Sequence, residues 1–353
     1  MRKIRIGTRG SALAMWQANF VRAALERLDP ALEVGLEGIR TTGDRDQQGA
    51  VGASWGQGGV GAFTREIERD QQGPAGRRGR LGGVGLFTGE IERALLAGSV
   101  DLAVHSLKDL PTTSAEGLAL AAIMAREDPA DAVIAAGGLT LAQLPRGAEV
   151  MTGSLRRGAQ LLHRRPDLLI RPVRGNVPTR VRKFDESDAD AIVLARAGLV
   201  RLELAGRITE RLAPAEFLPA CGQGALAVQV RADDGPQGRG PLLALCGPLD
   251  DSESRRATCA ERAFLAVLGG GCRVPVGAYA RFASGCDELT IAGMVASGDG
   301  TRLVKRTVSG EAGSPEGAAE LGRRLGEAVS AAGGAAILEE VMRESPQATE
   351  GSE

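Results

Sequence analysis

The 353-residue chain is 43% apolar with a formal net charge of −1, an ordinary globular balance with room for two or three domains. No apolar run approaches the ~20 residues of a membrane span, and near-zero charge with few aromatics argues against a nucleic-acid surface. Two histidines and five cysteines without a Cys-x-x-Cys pair argue against histidine metal clusters, Ser-His triads, zinc knuckles and a disulfide framework. The expected setting is a reducing cytoplasm, with no metal, no membrane and no nucleic-acid partner.

In chain order, Ile4 and Ile6 alternate with polar residues and read as a first strand; Met1-Arg-Lys-Ile-Arg-Ile-Gly7 enters it directly, so no signal peptide is expected. Leu13, Trp16, Phe20, Ala24 and Leu28 follow at helical spacing. Glu90 to Leu96 reads as a helix with Phe87, Ile91 and Leu95 on one face, and Val100 to Val104 as a short strand. Asp190 to Ala195 and Ala225 to Val230 continue a strand–helix alternation that predicts an α/β fold with ligand groups at strand ends. Beyond it, a helix around Ala257 to Leu268, a strand at Leu289 to Val295 and a helix around Glu320 to Val329 predict a smaller separate domain.

Residues 45–68 and 69–92 align without gaps, with 15 of 24 positions identical. Two copies are too few for a solenoid, which needs at least ~3 units to bury a core. The repeat reads as a tandem duplication within one loop-helix element, with the second copy integrated and the first mobile.

Four junctions carry candidate chemistry. Val104-His-Ser-Leu-Lys-Asp-Leu-Pro-Thr112 follows a strand and ends in a proline turn; Asp109 could serve as acid, base or partner of a cation, and Lys108 favours its ionised form. On that segment alone, a solvated turn is the stronger reading. Thr152-Gly-Ser-Leu-Arg-Arg157 opens a helix with small hydroxyl residues and two arginines, the makings of an anion site. Arg174-Gly-Asn-Val-Pro-Thr-Arg180 adds two arginines around a glycine turn, Arg196 and Arg201 flank another strand end, and Gly7-Thr-Arg-Gly-Ser11 sets Arg9 and Ser11 before the first helix. Lysine supplies only four of 43 basic residues, and arginine is the better fork for carboxylates. A single arginine is normally a solvated charge. Arginines repeated beside Gly, Ser or Thr at strand-to-helix junctions point to a cleft for a polycarboxylate or phosphate, each charge-assisted bond contributing ~1.5–3 kcal/mol. Gly82-Gly-Val-Gly85 lacks both the P-loop lysine and the dinucleotide spacing. Finally, Leu268-Gly-Gly-Gly-Cys-Arg-Val-Pro-Val-Gly277 presents Cys272 on an open, glycine-freed loop, a placement suited to a covalent anchor.

Together these segments resemble the porphobilinogen deaminase (hydroxymethylbilane synthase) family. The matching stretches are Arg5-Ile-Gly-Thr-Arg-Gly-Ser-Ala-Leu-Ala14, Gly82-Gly-Val-Gly-Leu-Phe87, Asp101-Leu-Ala-Val-His-Ser-Leu-Lys-Asp-Leu-Pro111, Ser154-Leu-Arg-Arg157, Arg164-Arg-Pro-Asp167, Arg174-Gly-Asn-Val177, Leu218-Pro-Ala-Cys-Gly-Gln-Gly-Ala225 and Gly270-Gly-Cys-Arg-Val-Pro-Val-Gly277, in family order. The resemblance implies two α/β lobes like those of periplasmic binding proteins and a smaller α+β C-terminal domain: domain 1 over 1–125 and 223–246, domain 2 over 126–222, domain 3 over 247–345, and a disordered tail at 346–353. The chain would cross between lobes near Arg126-Glu-Asp-Pro129 and Pro219-Ala-Cys-Gly222.

The implied protein is a monomeric cytoplasmic transferase. It joins four porphobilinogen molecules head to tail, releases ammonia, and yields hydroxymethylbilane for tetrapyrrole biosynthesis. Cys272 would hold a dipyrromethane cofactor through a thioether, and Asp109 would be the catalytic carboxylate. Lys108, Ser106, Thr152, Ser154, Arg156, Arg157 and Arg174 would bind the cofactor; Arg9, Ser11, Arg180 and Arg201 would bind substrate. Three departures stand out: Val84 where many members have lysine, Gly153 where serine is usual, and the duplication, which falls in a loop that covers the active site in this family. The competing readings are a non-catalytic two-lobed anion-binding protein and a family member impaired by that loop.

Overall fold

The structure is a computed structural model that describes residues 2–41, 88–232, 240–269 and 274–344. Most of the duplication, Val84, Cys272 and the segment 346–353 therefore lie outside the described residues.

The chain begins with β1 (Arg2–Arg9), α1 (Ala12–Leu28) and β2 (Leu32–Ile39), then resumes with α2 (Gly89–Leu96), β3 (Leu102–Ser106) and β4 (Leu118–Ile123). Ser11 starts α1 by accepting a hydrogen bond from the Ala14 amide. The helix forms where Leu13 to Leu28 predict it, but its buried face is Gln17, Ala18, Val21, Ala24 and Leu25. Phe20 and Leu28 are instead exposed. The reason is that the 18/21/25 stripe packs on Ile4, Ile6 and Val34 of the sheet, which turns Leu13 and Trp16 toward the other lobe, where Leu13 lies against Gly198 and Trp16 under Arg201. In α2, Ile91 and Leu95 are fully buried, as their spacing predicts.

After a first crossing the chain builds β5 (Asp131–Ala135), β6 (Glu149–Met151), α3 (Leu155–Arg164), β7 (Leu169–Arg171), α4 (Val177–Asp185), β8 (Ala191–Ala195), α5 (Arg196–Arg201) and β9 (Glu210–Leu212). A second crossing returns it to β10 (Leu226–Arg231). The two sheets have strand orders β2-β1-β3-β10-β4 and β7-β6-β8-β5-β9. In each, three strands run parallel, the fourth is antiparallel, and the fifth pairs antiparallel with the fourth. The lobes thus repeat one topology, and the antiparallel fourth strand is in each case the first strand laid down after a crossing.

The remaining chain forms α6 (Pro241–Cys246), α7 (Ser252–Val267), β11 (Val276–Phe282), β12 (Glu288–Ala296), β13 (Leu303–Glu311), α8 (Pro315–Val329) and α9 (Ala335–Glu344). The last three strands form an antiparallel meander. Phe264 of α7 and Leu321 and Leu325 of α8 cover its Ile291 and Leu289 face in a separate core. At that contact, a Cβ on Gly322 would sit 2.0 Å from the Ala260 carbonyl, so only glycine lets α7 and α8 approach this closely.

The first crossing is pinned by charge. Arg126 donates from Nη1 and Nη2 to the two Glu261 carboxylate oxygens at 2.7 and 3.0 Å, Glu127 pairs with Arg196, and Asp128 pairs with Arg211 and Arg196. Glu261, fully buried on α7, also accepts the Gly222 amide at 2.7 Å and the Ala280 amide at 2.9 Å. One side chain of the C-terminal domain therefore holds both crossings.

Candidate active site

The repeated topology places equivalent junctions of the two lobes face to face. Ser11 caps α1 after β1, and Ser154 caps α3 after β6 by accepting the Arg157 amide. Asn176 caps α4 after β7. Between these helix N-termini, the carboxyl end of β3 runs into a short turn, Leu107–Asp109. This is where an open parallel sheet presents ligand groups.

A cleft opens there, lined among others by Arg9, Ser11, Gln17, His105, Ser106 and Asp109. Asp109 is the one carboxylate among its described lining residues. The Ser106 hydroxyl exchanges hydrogen bonds with the Gln17 amide at 2.9 and 3.3 Å, so it is oriented by α1. Beside Asp109, the Lys108 ammonium donates to Gln223 Oε1 at 3.2 Å. Burial pulls its pKa down to about 8; Asp109 and Asp131 support the charge, while Arg157 and Arg156 oppose it. Burial likewise brings Arg180 down to about 10, with Arg157 and Arg174 pushing the same way and Asp109 opposing. The second lobe thus faces Asp109 with cations that repel one another.

Among the arginines singled out from the sequence, Arg156 and Arg157 are bound inward. Asp131, fully buried, accepts from Arg156 Nη1 at 2.7 Å on one oxygen and from Arg157 Nε and Nη2 at 3.0 and 2.7 Å on the other. Arg157 also donates from Nη1 to the Val193 carbonyl and Arg156 from Nη1 to the Leu218 carbonyl. Burial pushes the Asp131 carboxyl up, but the two guanidiniums outweigh it and hold the group well below the usual carboxylate range. One carboxylate against two guanidiniums leaves net positive charge beneath the cleft, a costly arrangement unless an anion completes it. Arg201 donates to the Gly224 carbonyl at 2.6 Å and lies 5.7 Å over the Trp16 ring, joining α5 to the second crossing and to α1. Arg180 donates from Nε to the Gly175 carbonyl at 2.7 Å, and Arg174 stands close enough to depress it. Thr152 is buried with its hydroxyl accepting the Ser154 amide. Cys272 lies outside the described residues.

Gly153 is required by the backbone. A Cβ there would sit 2.5 Å from the Val173 carbonyl. Gly153→Ser is therefore expected to lower stability by about 1–3 kcal/mol without raising turnover, which thermal denaturation and kcat/KM check.

Sequence reading missed Gln17, His105, Asp131 and Gln223. Burial takes the His105 pKa down to about 4 against the opposing pull of Gln229, so its imidazole faces the cleft neutral. Asp131 left one trace in the sequence: an acid opening an otherwise apolar strand, Asp131-Ala-Val-Ile-Ala135. Gln223 left another, a single amide between two glycines.

Two like-folded lobes, joined by a double crossing and bringing helix N-termini and cations to a cleft around Asp109, define a two-lobed α/β protein with a positively charged cleft. Comparison with known proteins then gives the family. The family model described as "Porphobilinogen deaminase, dipyromethane cofactor binding domain" matches residues 4–73 and 77–237, and "Porphobilinogen deaminase, C-terminal domain" matches 256–331. The chain is 44% identical over 342 residues to the porphobilinogen deaminase of Syntrophobacter fumaroxidans, covering 97% of this chain and 99% of that one. It is 46% identical over 335 residues to that of Roseiflexus castenholzii, covering 95% and 98%. Among solved structures it is similar to the Bordetella pertussis BvgS VFT2 domain, at TM-score 0.36 and 14% identity over 70% of this chain and 84% of that one. The chain belongs to the porphobilinogen deaminase family.

Proposed function

We infer that this protein is a transferase that condenses four porphobilinogen molecules head to tail, with release of ammonia, into hydroxymethylbilane on a dipyrromethane primer held by Cys272, in tetrapyrrole biosynthesis. The observation that carries this reading is the excess of positive charge at the cleft: Lys108, Arg180, Arg157 and Arg156 stand against the carboxylates of Asp109 and Asp131. Each pyrrole of cofactor and substrate carries an acetate and a propionate, so the residues present fit the group: the buried cations outnumber the carboxylates that face them, and the ligands supply the balance. When bound, the dipyrromethane supplies a nucleophilic pyrrole carbon and a permanent tether.

The chain's own residues do the rest. Asp109 accepts hydrogen bonds from pyrrole N–H groups and stabilises the positive charge that develops as the aminomethyl nitrogen leaves as ammonia. It is also placed to accept the pyrrole proton lost after the carbon–carbon bond forms. Lys108, Arg174, Ser106, Thr152 and Ser154 hold cofactor carboxylates; Arg9, Ser11, Arg180 and Arg201 receive those of the incoming monomer. Arg157, with all three guanidinium nitrogens directed inward, contributes chiefly through its charge, and Arg156 through charge and its remaining N–H groups. The domains are taken as 1–125 with 223–246, 126–222 and 247–345. The protein is taken to act as a cytoplasmic monomer without a nucleic-acid partner. The described cysteines, Cys221, Cys246, Cys259 and Cys286, are all free thiols, which favours a reducing compartment, and no helix among the described residues is long and apolar enough to cross a membrane.

The test is the mass of the purified protein. An increment of two linked pyrroles, absent from Cys272→Ala, is expected; an unmodified thiol that acquires no adduct on incubation with porphobilinogen overturns the reading.

A pH prediction follows from Lys108. Its folded pKa of about 8 lies below the ordinary lysine value, so the ammonium is what folding disfavours. The cofactor-free protein should gain stability as pH rises from about 8 towards the ordinary value of ~10.4, while its affinity for carboxylate ligands falls over the same interval. Denaturation and cofactor-reconstitution titrations across that interval check the two opposite slopes.

A further inference from the structure

Gln223 sits in the second crossing, 1% exposed, between two glycines whose backbones only glycine adopts easily: Gly222 at φ 73° and Gly224 at φ 92°. A Cβ on Gly224 would meet the Glu127 carbonyl of the first crossing at 2.1 Å, and one on Gly222 would meet Leu107 at 3.0 Å and the Lys108 amide nitrogen at 3.3 Å. The Gly-Gln-Gly unit is thus wedged between the other crossing and the turn that bears Lys108 and Asp109. From there the Gln223 side chain reaches both lobes. Its Nε2 donates to the Pro129 carbonyl at 2.7 Å and to Asp131 Oδ1 at 2.9 Å, while its Oε1 accepts the Lys108 ammonium at 3.2 Å. The partners fix the amide's orientation: turned over, it would set its NH₂ against an ammonium and its oxygen against a carboxylate and a carbonyl.

We propose that Gln223 is a positioning residue that sets the Lys108 ammonium beside Asp109 and ties that setting to the Asp131–arginine cluster of the second lobe. Lysine carries its charge on a flexible four-carbon stem and does not choose one position unaided. The backbone of the turn brings that stem to the cleft, and the glutamine oxygen selects where its end rests. The same amide then transmits any shift of β5 at the hinge to the cation next to the reacting carboxylate. A carboxylate in place of the amide would face Asp131, and an apolar side chain would release Lys108 altogether. The inference rests on the reading above, in which Lys108 serves the ligand.

The test is a double-mutant cycle in the cofactor-loaded enzyme, with Gln223→Met, Lys108→Gln and both together, each checked for cofactor mass and thermal midpoint. Gln223→Met is expected to lower kcat/KM by about tenfold, and the double variant to be no worse than Lys108→Gln, because the glutamine acts through the lysine. Losses that multiply in the double variant, or unchanged kinetics in Gln223→Met, overturn the proposal. If Lys108→Gln is itself without effect, the assignment of Lys108 fails and the coupling falls with it. Should Gln223→Met not fold, Gln223→Leu replaces it in the cycle. It removes the acceptor for Lys108 without setting a charge beside Asp131, and its defect should likewise vanish in the Lys108→Gln background; a defect that persists there counts against the proposal.

Discussion

Asp109→Asn is expected to lower turnover by about 10²–10⁴-fold while leaving the fold and the cofactor mass intact. Asparagine keeps the shape and one carbonyl oxygen, so pyrrole N–H groups still find an acceptor. It lacks the charge that answers a developing cation and the basicity that receives a proton. Its surroundings magnify the loss. Asp109 is the carboxylate that supports both Lys108 and Arg180. With it gone, the cations that face the ligand repel one another more strongly, and Lys108 should lose its proton below its present value of about 8. Single-turnover kinetics with porphobilinogen and the pH profile of the residual activity read both effects. Turnover at the parent rate would remove Asp109 from the chemistry.

The second large effect lies away from the cleft. Glu261→Ala removes the carboxylate that pairs with Arg126 in a bidentate bridge and accepts the Gly222 and Ala280 amides. It leaves a buried guanidinium without its counter-charge, held only through Nε to the Gln223 carbonyl, and takes the carboxylate acceptor from two buried amides, and about 3–5 kcal/mol of stability should go with it. Replacing Arg126 and Glu261 together with methionine should recover part of the loss, since no charge is then left alone, but not all of it, because the two amides stay unanswered. Chemical denaturation followed by a signal from the C-terminal domain measures this. Because the same carboxylate touches both crossings, Glu261→Gln should also alter KM or kcat while costing less stability than the alanine.

Much of the site was legible because it is local. A strand end followed by glycine, a hydroxyl residue and arginine marks a helix N-terminus whether or not its partners are known, and Arg9-Gly-Ser11, Thr152-Gly-Ser154 and Arg174-Gly-Asn176 all sit at such ends. What escaped is non-local. Arg156 and Arg157 read as cleft cations, and the carboxylate that turns them inward, Asp131, lies on β5 of the same lobe but well upstream of their helix. The resemblance implies a substrate role for Arg201, and its bond to a carbonyl of the returning crossing is a contact that only the folded topology brings near. The face of α1 was misjudged for a related reason. Leu13, Trp16 and Phe20 form an apolar stripe, but Leu13 and Trp16 meet the second lobe, Phe20 stacks on Trp16 and stays exposed, and the smaller Ala18, Val21 and Ala24 are what the sheet receives. Strands such as Glu149–Met151 and Leu169–Arg171 are three residues long and too brief to show alternation.

The shared strand order also dictates a sequence of events during synthesis. The second lobe takes all five of its strands from one stretch, Asp131 to Leu212, and can close as soon as that stretch leaves the ribosome. The first lobe cannot. Among the described residues its β4 has no partner in the sheet except β10, and β3 has no neighbour on that side until β10 arrives. The half of the protein that emerges first is therefore the half that finishes later, with the apolar run Leu118-Ala-Leu-Ala-Ala-Ile123 waiting as an open template while more than a hundred residues pass. Until Leu226–Arg231 slots in beside it, that strand is open to pairing with a wrong partner.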